Sequence, residues 1–168
     1  MYVNDLILNF NNLTDTRILE LTLSCYKQIY LNRGRFGVHF AHDGEPVLFH
    51  ETTFYHAFYT SSKGPPYNAR KDKLDRQRAA RVRWIKELIE GRLPNSACWE
   101  VTARSGRIMP PNRLYVLYAP AYLVWLEPRK NNIGWNFSSA YHTDPVYLTE
   151  KTRGGNKIWK YPKEKPGD

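Results

Sequence analysis

A helix that carries arginines inside its own apolar stripe limits how this chain can pack. Between Asp75 and Glu90, the residues Val82, Ile85, Leu88 and Ile89 recur at helical spacing. At about 100° per residue, Arg78 and Arg81 fall inside the arc of Leu74, Val82, Ile85, Leu88 and Ile89. Arg76, Arg83 and Lys86 fall on the opposite, solvent side. A guanidinium keeps its charge at any working pH and is costly to bury alone. Arg78 and Arg81 therefore need a carboxylate, a route to water for heads whose stems lie on apolar surface, or a pocket that receives an anion. Few acids stand nearby in the sequence, which favours the anion.

Overall charge points the same way. The chain has 25 basic against 16 acidic residues in 168, a net charge of +9. That excess suits a polyanionic partner, nucleic acid or an anionic membrane surface. No apolar run approaches a membrane span and no signal peptide opens the chain. Cys25 and Cys98 match no metal spacing, so a reduced, cytoplasmic protein is expected. Five Trp and twelve Tyr either fill a small sheet, where they have high strand propensity, or stack on nucleic-acid bases.

The pattern along the chain predicts a helix over Asp15 to Leu31, capped by Thr14 or Asp15, with Ile18, Leu19, Leu21, Leu23, Tyr26 and Ile29 on its apolar face. Two short strands, Phe36 to Phe40 and Val47 to Phe49, flank the turn His42 to Pro46, and a short helix follows over Thr52 to Tyr59. After the arginine helix come four strands: Cys98 to Arg104, Arg113 to Ala119, Tyr122 to Leu126 and Trp135 to Thr143. Short links between them favour antiparallel neighbours. The expected fold is α+β, one domain over residues 1–143, with N-terminal helices packed on a four-stranded antiparallel sheet. Residues 144–168, rich in Lys, Gly and Pro, read as a basic, partly ordered tail pinned by Trp159 or Tyr161.

The sequence holds no P-loop, GxGxxG, GxSxG or HExxH motif. His39, His42 and Asp43 sit where surface histidines are common, and no metal or other cofactor is expected. RNA cleavage without metal needs a base for the 2′-hydroxyl proton, cations for the phosphorane and a donor near the leaving oxygen. His56, flanked by aromatics in Phe54-Tyr55-His56-Ala57-Phe58, is either a buried structural imidazole or a base in a shielded cleft. Arg78 and Arg81 would supply the cations. Hydroxyls come from the last strand, where alternation groups Trp135, Phe137, Ser139 and Tyr141 on one face.

His56-Ala57-Phe58, then Arg78 to Ile85, then Tyr122 to Trp125, and finally Trp135 to Tyr141 stand in an order that resembles phage-associated nucleases of the barnase, EndoU, colicin and RelE-like (BECR) fold group. The resemblance spans roughly Phe36 to Tyr141. It implies N-terminal helices on a four-stranded antiparallel sheet and RNA cleavage without metal. It also implies His56 as general acid/base, Arg78 and Arg81 as phosphate clamps and Ser139 as the late-strand hydroxyl, with Ser138 and Tyr141 beside it. Active sites of that group lie on the exposed sheet face, whereas alternation places Ser139 with Trp135 and Phe137. A β-bulge at Ser138-Ser139, or aromatics lining the cleft, would reconcile the two.

The leading expectation is an RNA endonuclease that leaves a 2′,3′-cyclic phosphate, encoded as a toxin or by a phage or mobile element. Its candidate target is tRNA and its candidate protein partner an antitoxin or immunity protein. Lys63, Arg113, Trp125, Arg129 and His142 are candidate substrate contacts. The alternatives are a non-catalytic RNA- or DNA-binding module, and a protein-interaction factor in which Arg78 and Arg81 are paired structurally.

Overall fold

The computed structural model describes residues 3–32, 34–62, 71–102, 110–131 and 133–161. A single 3-10 turn, Val3–Leu6, precedes α1, Asp15–Tyr30. The Thr14 hydroxyl accepts the Arg17 N–H and starts this helix. Its fully buried face is Ile18, Thr22, Tyr26 and Tyr30, a strict spacing of four. Leu21, expected inside, is exposed. Thr22 is tolerated there because its hydroxyl donates to the Ile18 carbonyl at 2.7 Å.

Strands β1 (Phe36–Phe40) and β2 (Pro46–His50) form the expected hairpin. Helix α2 (Thr53–Phe58) buries Phe54, Ala57 and Phe58 and turns Tyr55 and His56 outward. The two-residue strands β3 (Tyr59–Thr60) and β4 (Lys73–Leu74) pair antiparallel.

The arginine helix is two helices, α3 (Arg76–Ala80) and α4 (Trp84–Ile89). A continuous helix would bond the Lys86 N–H to the Val82 carbonyl. Instead the buried Tyr30 hydroxyl stands between them, donating to the Val82 carbonyl at 2.6 Å and accepting from the Lys86 N–H at 3.1 Å. A side chain inserted into the ladder breaks it. The turn between tightens to three-residue bonds, Arg81 N–H to the Arg78 carbonyl and Trp84 N–H to the Arg81 carbonyl.

Strands β5 (Ser96–Val101), β6 (Asn112–Leu117), β7 (Tyr122–Pro128) and β8 (Trp135–His142) form the antiparallel meander that the sequence suggests. The expectation of a sheet confined to those four strands is corrected. The sheet has seven strands in the order β1-β2-β8-β7-β6-β5-β9 and is mixed, because β2 runs parallel to β8 at Val47↔Trp135 and Leu48↔Asn136. Pairing between segments so distant in sequence leaves no local signature. Residues 144–161, expected as a partly ordered tail, hold α5 (Pro145–Thr152) and β9 (Asn156–Lys160), which pairs with β5 at the sheet edge. The Asp144 carboxylate caps α5 by accepting the Tyr147 N–H.

Both faces of the sheet are covered, so β6 and most of β7 are buried throughout. The larger core packs α1, α2, α3 and α4 on one face, around Tyr26, Phe49, Phe54, Trp84, Tyr122 and Phe137. The smaller core, Val101, Leu114, Val116, Ala121, Leu123 and Leu148, lies under α5 on the other. Among the described residues no helix is long and apolar enough to cross a membrane.

Candidate functional site

Strand β2 leaves β8 after Asn136, and α2 packs against β8. His56 stands there on the outward side of α2. The short β3–β4 ladder, extended by the bonds from Asp72 N–H to the Thr60 carbonyl and from Asp75 N–H to the Phe58 carbonyl, brings residues 71–75 back beside α2. Lys71 thereby reaches the His56 carbonyl with its ammonium, and Arg78 Nη1 donates to the Ala57 carbonyl at 3.2 Å. Both carbonyls lie in the last turn of α2, where cations are favoured.

The acid that Arg78 needs is three residues away. Asp75 caps α3 by accepting the Gln77 and Arg78 N–H groups, and its second oxygen lies 3.2 Å from Arg78 Nε. The Arg78 guanidinium also sits 4.9 Å from the Tyr141 ring centroid. Arg81 has a different environment. It donates to the Gln77 carbonyl at 2.9 Å and lies 5.0 Å over the Trp84 ring, with no carboxylate partner among the described residues. Burial first and then the Arg81 charge lower the pKa of His142, and the same charge opposes the burial-driven rise of the Tyr122 phenol, whose oxygen is buried with no hydrogen-bond partner among the described residues.

The two arginines thus serve different neighbours. His56 is held below its ordinary pKa by partial burial first, then by Lys71 and Arg78, with Glu127 acting in the opposite direction. Lys71 is itself lowered by burial and by Arg78. Glu127, on β7, accepts the Ser138 hydroxyl at 2.8 Å. A bulge occurs where Trp125 opposes Ser139 and Leu126 opposes Phe137. It takes Ser139 off the Trp135–Phe137 face, since Ser139 is the cross-strand partner of half-buried Trp125. Tyr141 follows on that face, accepting from Trp125 Nε1 at 3.1 Å and meeting the Tyr147 hydroxyl at 3.1 Å.

His56, Arg78, Ser138, Tyr141 and Trp125 are therefore linked in one region, with Ser139 opposite Trp125. Arg81 and His142 form a separate pair of neighbours. Arg113 is buried and tied to Asp43 at 2.7 Å and Glu45 at 3.3 Å, with its guanidinium 4.5 Å from the Trp135 ring, which makes it a structural clasp on the β1–β2 turn. Arg129 closes the β7–β8 turn through the Ile133 carbonyl at 3.3 Å. Lys63 lies outside the described residues. Lys71, Asp75, Glu127 and Tyr147 were not singled out from sequence. Glu127 left a signal there as the charged residue that follows Trp125 at two-residue spacing, and Asp75 as a capping type ahead of the arginine helix.

Among the described residues no group of three or more His, Cys, Asp or Glu is arranged to hold a metal ion. Comparison with protein-family models, with curated proteins and with solved structures returned no match to this chain.

Proposed function

We propose that this protein is an RNA endonuclease that cleaves by attack of the 2′-hydroxyl, with His56, Lys71 and Arg78 as its reacting and charge-bearing groups. The observation that carries the reading is that Lys71 and Arg78 reach the His56 and Ala57 carbonyls, so two cations meet the turn of α2 that bears the outward imidazole. The order of sequence motifs shared with the BECR nucleases agrees with this chemistry, although the sheet architecture differs.

Burial, Lys71 and Arg78 hold His56 below its ordinary pKa, which favours the neutral imidazole that accepts a proton rather than giving one. It takes the 2′-hydroxyl proton as that oxygen bonds to phosphorus. Arg78 and Lys71 stabilise the dianionic phosphorane. The 5′-oxygen then leaves with a proton from the Lys71 ammonium, whose hold on it is loosened by burial and Arg78. The products are a 2′,3′-cyclic phosphate and a 5′-hydroxyl, and solvent returns the proton from His56 to Lys71. Glu127, held by the Ser138 hydroxyl, supplies a negative charge that favours the imidazolium once His56 has taken the proton.

Total tRNA and unstructured RNAs, incubated with the protein in EDTA, test this. Cleavage should yield cyclic-phosphate ends, stop when the scissile nucleotide is 2′-O-methylated, and drop at least 100-fold in His56→Ala. No cleavage by the wild type, or undiminished cleavage by His56→Ala, refutes the reading. A non-catalytic RNA-binding module is the second reading. It is favoured by the bonds that Lys71 and Arg78 already make to α2 carbonyls, and it predicts steeply salt-dependent binding without turnover.

A further inference from the structure

The sheet face under α5 carries three half-buried aromatic rings joined by their polar ends, and Arg78 links this face to the end of α2. Trp125 Nε1 donates to the Tyr141 hydroxyl at 3.1 Å, which meets the Tyr147 hydroxyl at 3.1 Å. Tyr141 and Tyr147 lie edge to face, with centroids 6.2 Å apart. Each tyrosine also carries a cation on its ring, Arg78 at 4.9 Å from Tyr141 and Lys151 at 4.9 Å from Tyr147. Two of the rings come from adjacent strands and the third from α5, so three elements hold the group rigid.

We infer that Trp125, Tyr141 and Tyr147 form a stacking platform for an unpaired base next to the scissile phosphate, so that the substrate is single-stranded or looped RNA. This deepens the endonuclease reading and rests on it for the placement of the phosphate. The chemistry of the trio carries the inference. Their hydrogen-bonding groups are spent on one another, so what they offer a base is the part of each ring that neither the core nor a cation covers, and such ring surface stacks on any base without reading its edges. A duplex hides its base faces, whereas a single strand offers them. Arg78 joins the two functions, since it acts on His56 and lies over Tyr141. Lys151, on a mobile stem, can yield the Tyr147 face and take the next phosphate.

The platform is short. Trp99 lies in the same cross-strand row as Trp125, but buried Leu114 stands between them and packs with Leu148 of α5. The row therefore offers a stacking surface for one or two nucleotides on the β8 side, and base identity beyond them is not read by these rings.

A 2′-O-methyl oligonucleotide with one 2-aminopurine, which lacks the attacking hydroxyl, is the probe. The wild type should bind it as a single strand with quenched fluorescence, and bind the same sequence as a duplex more weakly without quenching. Trp125→Ala and Tyr147→Ala should each weaken single-strand binding roughly 5- to 150-fold, the range for loss of one stacked base, while Trp125→Phe restores most of it. Should Trp125→Ala fail to fold, Tyr147→Ala, which leaves the strands untouched, decides the matter. Binding within twofold of the wild type for Tyr147→Ala, or equal binding of duplex, overturns the platform. His56→Ala separates the two readings: it should bind the probe as the wild type does yet not cleave RNA. Probe quenching by a wild type that cleaves no RNA would remove the nuclease and keep the platform. Cleavage with an unchanged KM in Tyr147→Ala would do the reverse.

Discussion

Replacing each of the two inward arginines by methionine should separate a firmly tethered cation from a lightly held one. Arg78 has three attachments: a hydrogen bond to the Ala57 carbonyl, an ion pair with Asp75 and the Tyr141 ring. A hydrogen bond to a charged group contributes about 1.5–3 kcal/mol when lost from a shielded site. The ion pair, with side chains 19% and 27% exposed, adds up to about 1 kcal/mol, and the ring contact about 0.5–1 kcal/mol. These overlap, so Arg78→Met should cost about 3 kcal/mol. Arg81 has one bond to the carbonyl four residues back and the Trp84 ring. Its loss should cost about 1 kcal/mol. For a domain of this size each kcal/mol moves Tm by about 2–4 °C. Arg78→Met should therefore melt about 6–12 °C below the wild type and Arg81→Met about 2–4 °C below it. Urea titration followed by tryptophan fluorescence gives the free energies independently. Equal losses, or a greater loss for Arg81→Met, would refute the assignment of Arg78 as the tethered one.

Three further outcomes follow from the same contacts. His39, His56 and His142 all have folded pKa values below 6.5, each chiefly through burial. The unfolded chain then binds more protons as pH falls through 6.5, so stability present above that pH should decline below it, and the urea midpoint should drop between pH 7.5 and 6. Arg113 is 7% exposed while Asp43 and Glu45 are 31% and 48% exposed. Removing both acids strands a buried cation and should cost about 3–5 kcal/mol, whereas Arg113→Met frees carboxylates that water can reach and should cost less in the same urea titration. Tyr30→Phe takes away the hydroxyl that serves both Val82 and Lys86. It should destabilise by about 1–3 kcal/mol and deprotect the Lys86 amide in hydrogen exchange, unless the helix closes over the gap and protection rises.

Much of the fold was legible because it is local. The α1 cap, the β1–β2 hairpin and the four strands β5 to β8 each follow from neighbouring residues, a capping hydroxyl, a turn or an alternation. The β2–β8 junction was not, since two parallel residue pairs unite segments that share no pattern. Strand β9 was hidden for a different reason. Its Asn156-Lys157-Ile158-Trp159-Lys160 run sits among lysines and glycines, and composition argues for a tail. In the fold the Lys157 ammonium lies 4.7 Å over the Trp99 ring and Trp159 packs on His42. Edge strands tolerate charge because only one side pairs.

The candidate site's members were unevenly legible. His56, Arg78 and Tyr141 stood out by type and position, whereas Lys71 owes its place to a ladder of two-residue strands too short to leave a period. Asp75 was present in the very segment that raised the question of an acid, but it reads as a helix cap. A capping carboxylate has two oxygens, and the backbone uses one while Arg78 takes the other.

Along an unbroken helix Arg78 and Arg81 would point within about 60° of each other and clamp one anion together. The Tyr30 hydroxyl prevents that by opening the helix at the Val82–Lys86 bond. Arg81 becomes the C-cap of α3, close enough to act on Tyr122 and His142, while Arg78 remains on α3 facing α2 and Tyr141. The second cation at His56 must then come from elsewhere, and the β3–β4 ladder delivers Lys71. A lysine there brings something a second arginine would lack. Its pKa is lowered by burial and by Arg78, so it gives up a proton more readily than an ordinary lysine, which a guanidinium does not do. Under the proposed mechanism the break that separates the arginines leaves one permanent charge and one proton donor, so Lys71→Arg should keep RNA binding while losing turnover.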